Sequence, residues 1–241
     1  TSLAIPDVKV LRFARFSDHR GYFTEHFRHS DFLSHPELRC FQPRKGSFPS
    51  GLVGEKGVEF VQANESYSRR GTVRGLHFQW EPYVGKLVRT VMGRMVDLVL
   101  DIRLGSPTFG KILAYDIPAT PDRDHAEWIW VPPGFAHGNF FPEETLIEYL
   151  CTGAWNPAAE SGISPLASDL DWSLCDPKLR EMFLALTRSD EFLISDKDRN
   201  GHSLASWAAM GTAASGSAAM AGATAGSSGQ REPRAAHFTY G

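Results

Sequence analysis

The side chains best suited to chemistry in this sequence are a histidine and a lysine, His77 and Lys86. They sit in Gly71-Thr-Val-Arg-Gly-Leu-His-Phe-Gln79 and in Gly85-Lys-Leu-Val-Arg89. An imidazole takes up a proton near neutral pH, and a partly desolvated ammonium holds negative charge as it develops on an oxygen. Brought together, the two would make complementary parts of one proton-transfer site. A histidine on a strand is ordinarily a hydrogen-bonded structural group, so the neighbouring elements decide what His77 is for.

Residues 71–79 form a short apolar run between glycines and read as a strand. Alternation places Val73, Gly75, His77 and Gln79 on one face and sends Arg74 to the other. Arg74 joins the His77 face only if Gly75 hosts a bulge. Residues 86–92 and 95–102 are strand-like runs separated by Gly93-Arg94, which predicts a tight hairpin with Met92 facing Met95 and Lys86 opposite Asp101. One face of it then carries Lys86, Val88, Thr90, Asp97, Val99 and Asp101, and the other Leu87, Val91, Val96, Leu98 and Leu100. A charged face of this kind is either solvated or lines a cavity that holds amine and carboxylates together.

The rest of the chain reads as many short strands. Residues 8–16, 22–27, 60–64, 112–117, 128–131 and 145–152 are strand-like, with turn signals such as Ser17-Asp-His-Arg-Gly21 and Ser106-Pro-Thr-Phe-Gly110 between them. Near-regular spacing of strands with little helix predicts an all-β antiparallel sandwich or barrel. A weak helix is expected between Ser30 and Cys40. A better one starts at Asp176, an N-cap followed by Pro177, with Leu179, Met182, Phe183 and Leu186 in a stripe that should pack outside the barrel. Residues 43–57 read as a surface loop.

With 241 residues, 42% of them hydrophobic, and a net charge of -3, the composition fits one globular domain and points to neither nucleic acid nor membrane. Cys40, Cys151 and Cys175 are too few and too irregularly spaced for a disulfide framework or a Cys-based zinc site, so a reduced, cytoplasmic setting is expected. From Ala205 to Gly229 the composition falls to Ala, Gly, Ser, Thr and Met with one Trp. Such side chains bury too little area to offset the entropy of ordering. The expected organisation is therefore a folded domain over 1–204 and a disordered tail over 205–241.

The motifs Arg20-Gly-Tyr-Phe-Thr-Glu25, Phe60-Val-Gln-Ala-Asn64, Val73-Arg-Gly-Leu-His-Phe-Gln79, Gly85-Lys-Leu-Val-Arg89, Asp101-Ile-Arg, Ser106-Pro-Thr-Phe-Gly110 and Pro133-Gly-Phe-Ala-His-Gly138, taken in order, resemble the dTDP-4-dehydrorhamnose 3,5-epimerase family of the cupin superfamily. The resemblance runs from about residue 8 to about 204. It implies a cupin-type jelly-roll barrel with a few short peripheral helices, usually a homodimer. It also implies an isomerase that inverts C3 and/or C5 of a nucleotide-linked 4-keto-6-deoxyhexose in deoxysugar biosynthesis, with no cofactor or metal. The carried-over roles are His77 as base, Asp198 as the carboxylate that orients it, Lys86 as enolate stabiliser and Tyr149 as acid. Arg20, Phe23, Glu25, Gln62, Asn64, Arg74, His137 and Trp155 match substrate-binding positions. Where many relatives carry two adjacent aromatics, this chain has Ala154-Trp155, and the helix from Pro177 reads as an insertion ahead of Asp198.

Two other readings are distinct in kind. A metal-dependent cupin oxygenase would need a His-x-His pair and a carboxylate near His77, where the sequence has one histidine. A non-catalytic sugar-nucleotide binder would have no need of an acid and a base on opposite sides of a ring. Metal analysis and solvent deuterium exchange, respectively, separate them from the epimerase.

Overall fold

The computed structural model describes residues 1, 3–41, 57–212 and 238, so most of the segment read as a loop at 43–57 lies outside the described residues. The strands are β1 (Lys9–Ala14), β2 (Phe16–Asp18), β3 (Gly21–Phe23), β4 (Gln62–Ser68), β5 (Thr72–Gln79), β6 (Lys86–Met92), β7 (Arg94–Asp101), β8 (Ile112–Pro118), β9 (His125–Val131), β10 (Phe135–Phe140), β11 (Thr145–Cys151), β12 (Glu160–Gly162) and β13 (Leu193–Ile194). A five-stranded sheet in the order β1-β9-β6-β11-β4 faces a six-stranded one ordered β12-β5-β10-β7-β8, with β13 also paired to β5. Apart from β13 the pairings within both sheets are antiparallel, and neighbours in space are mostly distant in sequence. The two sheets enclose a jelly-roll barrel.

The expected hairpin between β6 and β7 does not form. β6 pairs with β9 and β11 in one sheet, whereas β7 pairs with β8 and β10 in the other, so Gly93 carries the chain across the barrel instead of back along it. The sorting of side chains nevertheless holds. Val88 and Val99 share the barrel interior, while Val96, Leu98 and Leu100 pack in a separate cluster outside the six-stranded sheet. Side-chain parity is a property of each strand, whatever its partner.

Strict alternation fails in β5 itself. His77 lies opposite His137 of β10, yet Asn139, two residues on, lies opposite Arg74, three residues back, so β5 carries one extra residue between them. Gly75 is the residue that permits this bulge: its φ is +105°, and a Cβ there would come within 2.6 Å of Gly138 Cα and 2.7 Å of the His137 carbonyl oxygen. The bulge places Val73 with Leu76, Phe78 and Trp80 in the outer cluster, not beside His77 as alternation predicted. It also turns Arg74 towards the space that His77 faces.

The barrel interior has two halves. One is filled by Val88, Met95, Val99, Leu113, Ile117, Ile129, Val131, Phe135 and Ile147. The other is hollow and polar. Outside the six-stranded sheet, helix α2 (Pro177–Thr187), entered through the Asp176 cap whose Oδ1 accepts from Lys178 N at 2.8 Å, buries Phe183 against Trp172 and Phe140. A side chain so buried contributes on the order of 1.5–3 kcal/mol, and Leu179, Met182, Leu184 and Leu186 pack against the same cluster beside it. The weak helix expected near residue 30 is α1 (His29–Ser34), which seals the outer face of the five-stranded sheet with Phe32, beside a 3-10 turn over Pro36–Phe41.

The boundary expected at 204 moves. Helix α4 (Leu204–Thr212) continues the fold, its first amides donating to the Asp169 carboxylate, and Trp207 is fully buried in the outer cluster together with Phe238. Alanine is the best helix former and one tryptophan supplies the anchor, so a low-complexity composition did not mean absence of structure here. Residues 213–237 lie outside the described residues.

Candidate active site

The hollow half of the barrel is a cavity of about 410 Å³, lined by His77, Gln79, Lys86, His137, Tyr149, Cys151, Trp155 and Glu160 among others. A second cavity of about 220 Å³ shares His77, Lys86, His137 and Tyr149 and adds Arg74 and Asp198. His77 and His137 come from the six-stranded sheet, Lys86 and Tyr149 from the five-stranded one. His77 and Lys86, close in sequence, thus meet across the interior, from strands that are not neighbours in a sheet.

His77 is held from behind. Its Nε2 lies 2.6 Å from Asp198 Oδ1, and the second oxygen of Asp198 accepts from the amide of Gly75 at 3.2 Å. Asp198 sits in the short helix α3 (Asp196–Arg199), whose Ser195 cap accepts from the Asp198 amide at 3.1 Å. Burial would raise the Asp198 carboxyl, but the hydrogen bonds from His77, Gly75 and Ser195 outweigh it and leave the group below the ordinary carboxylate range. An ionised acceptor at Nε2 selects the neutral tautomer that donates there, so Nδ1 keeps its lone pair for a proton.

Lys86 reaches the cavity with its Nζ 5.9 Å from the centre of the Tyr149 ring, and it makes no hydrogen bond or ion pair to any described residue. Burial lowers its ammonium pKa, while Cys151, Glu160 and Asp97 act the other way. Burial likewise raises the Tyr149 phenol. An uncommitted ammonium and a protonated phenol therefore face an imidazole backed by a carboxylate. Such a set removes a proton from one side of a bound ring, stabilises negative charge on an oxygen, and returns a proton from the other side.

The family model described as dTDP-4-dehydrorhamnose 3,5-epimerase matches residues 2–206. The chain belongs to that family. A dTDP-4-dehydrorhamnose 3,5-epimerase of Shigella flexneri is 36% identical over 201 residues, covering 82% of this chain and 91% of the relative. The crystal structure of dTDP-6-deoxy-D-glucose-3,5-epimerase from Legionella pneumophila in complex with dTDP-4-keto-L-rhamnose superposes with a TM-score of 0.64 at 28% identity, covering 85% of this chain and 91% of that one. A 3'-monoepimerase from Streptomyces bikiniensis in complex with dTDP-quinovose gives 0.62 at 26% identity, covering 85% and 87%. The cupin-like jelly roll and the epimerase family expected from the motifs are thereby established.

Of the residues that the family resemblance singled out, His77, Lys86, Tyr149, Asp198, Gln62, Asn64, Arg74, His137 and Trp155 line the two cavities. Gln62 and Asn64 point inward from β4, joined by a 3.0 Å hydrogen bond from Gln62 Nε2 to Asn64 Oδ1, and the Trp155 amide donates to Gln62 Oε1 at 2.9 Å. Trp155 itself is an exposed ring at the cavity mouth. His137 is buried, its Nε2 2.7 Å from Asp97 Oδ1, to which Asn139 also donates. Asp101 takes no part: it is buried under Arg103, Ser106 and Thr108.

Arg20, Phe23 and Glu25 do not reach the cavity of their own chain. They lie on or after the exposed β2–β3 hairpin, where Arg20 pairs with Asp18, Glu25 pairs with Arg28, and Phe23 is 66% exposed. Motif order says nothing about which copy of a chain a segment reaches, and a short two-stranded hairpin has no sheet of its own barrel to rest on. Glu160 and Lys197 were missed. Glu160 lines the cavity from β12, opposite Gln79 on β5, and accepts from Lys197 Nζ at 2.6 Å. The only sequence signals were the adjacency of Lys197 to Asp198 and of Glu160 to the Asn156-Pro157 landmark.

Proposed function

We propose that the chain is a dTDP-4-keto-6-deoxyhexose epimerase that inverts C3 and C5. His77 removes the proton beside the ketone, the C–H electron pair passes into an enolate whose oxygen is held by Lys86, and Tyr149 returns a proton to carbon from the opposite face. Asp198 fixes the tautomer of His77. Gln62, Asn64, Arg74, His137 and Trp155 bind the remainder of the substrate, with arginine suited to the diphosphate oxygens. The observation that carries this reading is the placement of His77 and Tyr149 on opposing sheets, with Lys86 on β6, the strand paired to that of Tyr149. The test is position-resolved solvent deuterium incorporation into the dTDP-4-keto sugar, followed by NMR. Label at C3 and C5 is the expected result; label at one carbon restricts the enzyme to single epimerisation, and label at neither refutes the assignment. Tyr149→Phe should retain exchange and lose inversion, because abstraction precedes the step that it serves.

We further propose that the functional unit is a homodimer in which Arg20, Phe23 and Glu25 complete the partner's cavity. Support comes from the exposed aromatic hairpin, with Phe16 67% and Phe23 66% accessible, and from the lining of its own cavity, which is made by other described residues. Mixing His77→Ala with Arg20→Ala subunits should restore about a quarter of wild-type activity, since half the dimers are hybrids with one intact site. No recovery on mixing would place the hairpin outside the partner's site.

A further inference from the structure

Behind His77 the six-stranded sheet is closed by aromatic rings that the reaction does not use. The Phe78 ring packs in the outer cluster, its centre 4.6 Å from that of Trp207 and 5.7 Å from that of Phe238. Phe238 is fully buried, its ring lies 5.5 Å from Tyr83 and 6.1 Å from Trp207, and its carbonyl accepts from the Leu104 amide at 2.8 Å. It is remote in sequence from each of these described residues.

Tyr83 belongs to the connection over residues 80–85, between β5 and β6, and this connection is a wall of the cavity. Val84 lines the space directly. The Gln79 amide donates to the carbonyls of Pro82 and Ala154, each at 3.0 Å. Asn156 donates to the Glu81 carbonyl at 2.7 Å and, through its backbone, to Gln79 Oε1 at 2.8 Å. The connection and the Ala154-Trp155-Asn156 segment are thus one hydrogen-bonded unit, braced from outside by the ring of Phe238 on Tyr83.

We propose that Phe238 is a positioning residue for the end of the cavity that carries Val84 and Trp155, acting through Tyr83 and the 80–85 connection. The inference rests on the reading of that cavity as a nucleotide-sugar site and deepens it. A phenyl ring supplies a large apolar contact at little cost in side-chain freedom. Surface connections open locally with free energies set by a few such contacts, so removing this one loosens the wall without unfolding the barrel.

The experiment uses the full chain, as wild type, Phe238→Ala, Phe238→Leu and the control Phe183→Leu, which lies on α2 away from the cavity. Amide hydrogen exchange over residues 80–85 and calorimetric binding of dTDP are measured on each. Phe238→Ala should accelerate exchange over 80–85 and weaken dTDP binding about three- to tenfold, and Phe238→Leu should recover most of both. Phe183→Leu should lower the melting temperature and leave dTDP affinity unchanged, separating positioning from general stability. Unchanged protection over 80–85 in Phe238→Ala, or loosened protection with dTDP affinity intact, overturns the proposal. Failure of the wild type to bind dTDP would overturn the nucleotide reading of the cavity, and the exchange measurements would still decide whether Phe238 braces the wall.

Discussion

His77→Ala is expected to slow epimerisation about 10²- to 10⁴-fold, the usual contribution of a positioned general base, and to stop solvent deuterium from entering either carbon. The loss should fall on kcat, because His77 acts on the C–H bond while the nucleotide is held by other residues. Asp198→Asn should give part of the same defect, since an amide at 2.6 Å from Nε2 no longer selects the tautomer that leaves Nδ1 free. Steady-state kinetics with NMR-detected exchange measures both, and an unchanged melting temperature shows that the barrel is intact. Near-normal turnover in His77→Ala would remove the base from the mechanism.

Lys86→Met should cost about 10²- to 10³-fold in kcat, as loss of one oxyanion donor does, with dTDP affinity preserved. The pH profile gives an independent check. Burial lowers the Lys86 ammonium below its ordinary value; the charged form, which holds the enolate oxygen, is present at low pH and is lost as pH rises through that lowered pKa. The alkaline limb of kcat should therefore fall below the range of an exposed lysine. Lys86→Arg, charged across the whole range, should move that limb upward even where its geometry lowers the rate. A limb in the same place for the wild type and for Lys86→Arg would assign it to another group.

Short strands, their turns and the polar side chains among them were legible because each is a local property. Strand-like patterning identified β4 to β9 and β11 but not β10, whose Phe135–Phe140 run lies in the Pro133-Gly-Phe-Ala-His-Gly138 motif; Asp176-Pro177 marked the start of α2, and the inward or outward sense of Lys86, Val88, Asp97 and Val99 could be read strand by strand. The ordered motifs identified the family, and with it nine residues that do line the cavities. The composition at 205–212 misled, because a few alanines and one tryptophan make a helix only when an apolar face such as Phe78 waits to receive it.

Which strands pair was decided by the tertiary structure alone. Gly93 is compatible both with a hairpin and with a crossing between sheets, and the choice depends on β9 and β11, which arrive much later in the chain to claim β6. The same long-range competition sets the bulge: Gly75 permits it, but the close approach of Gly138 from β10 is what requires it and brings Arg74 round to His77. Spacing along the chain therefore determined which groups this protein has to work with. Their meeting across a cavity, with Asp198 drawn in behind His77 from more than a hundred residues away, exists only once both sheets have closed.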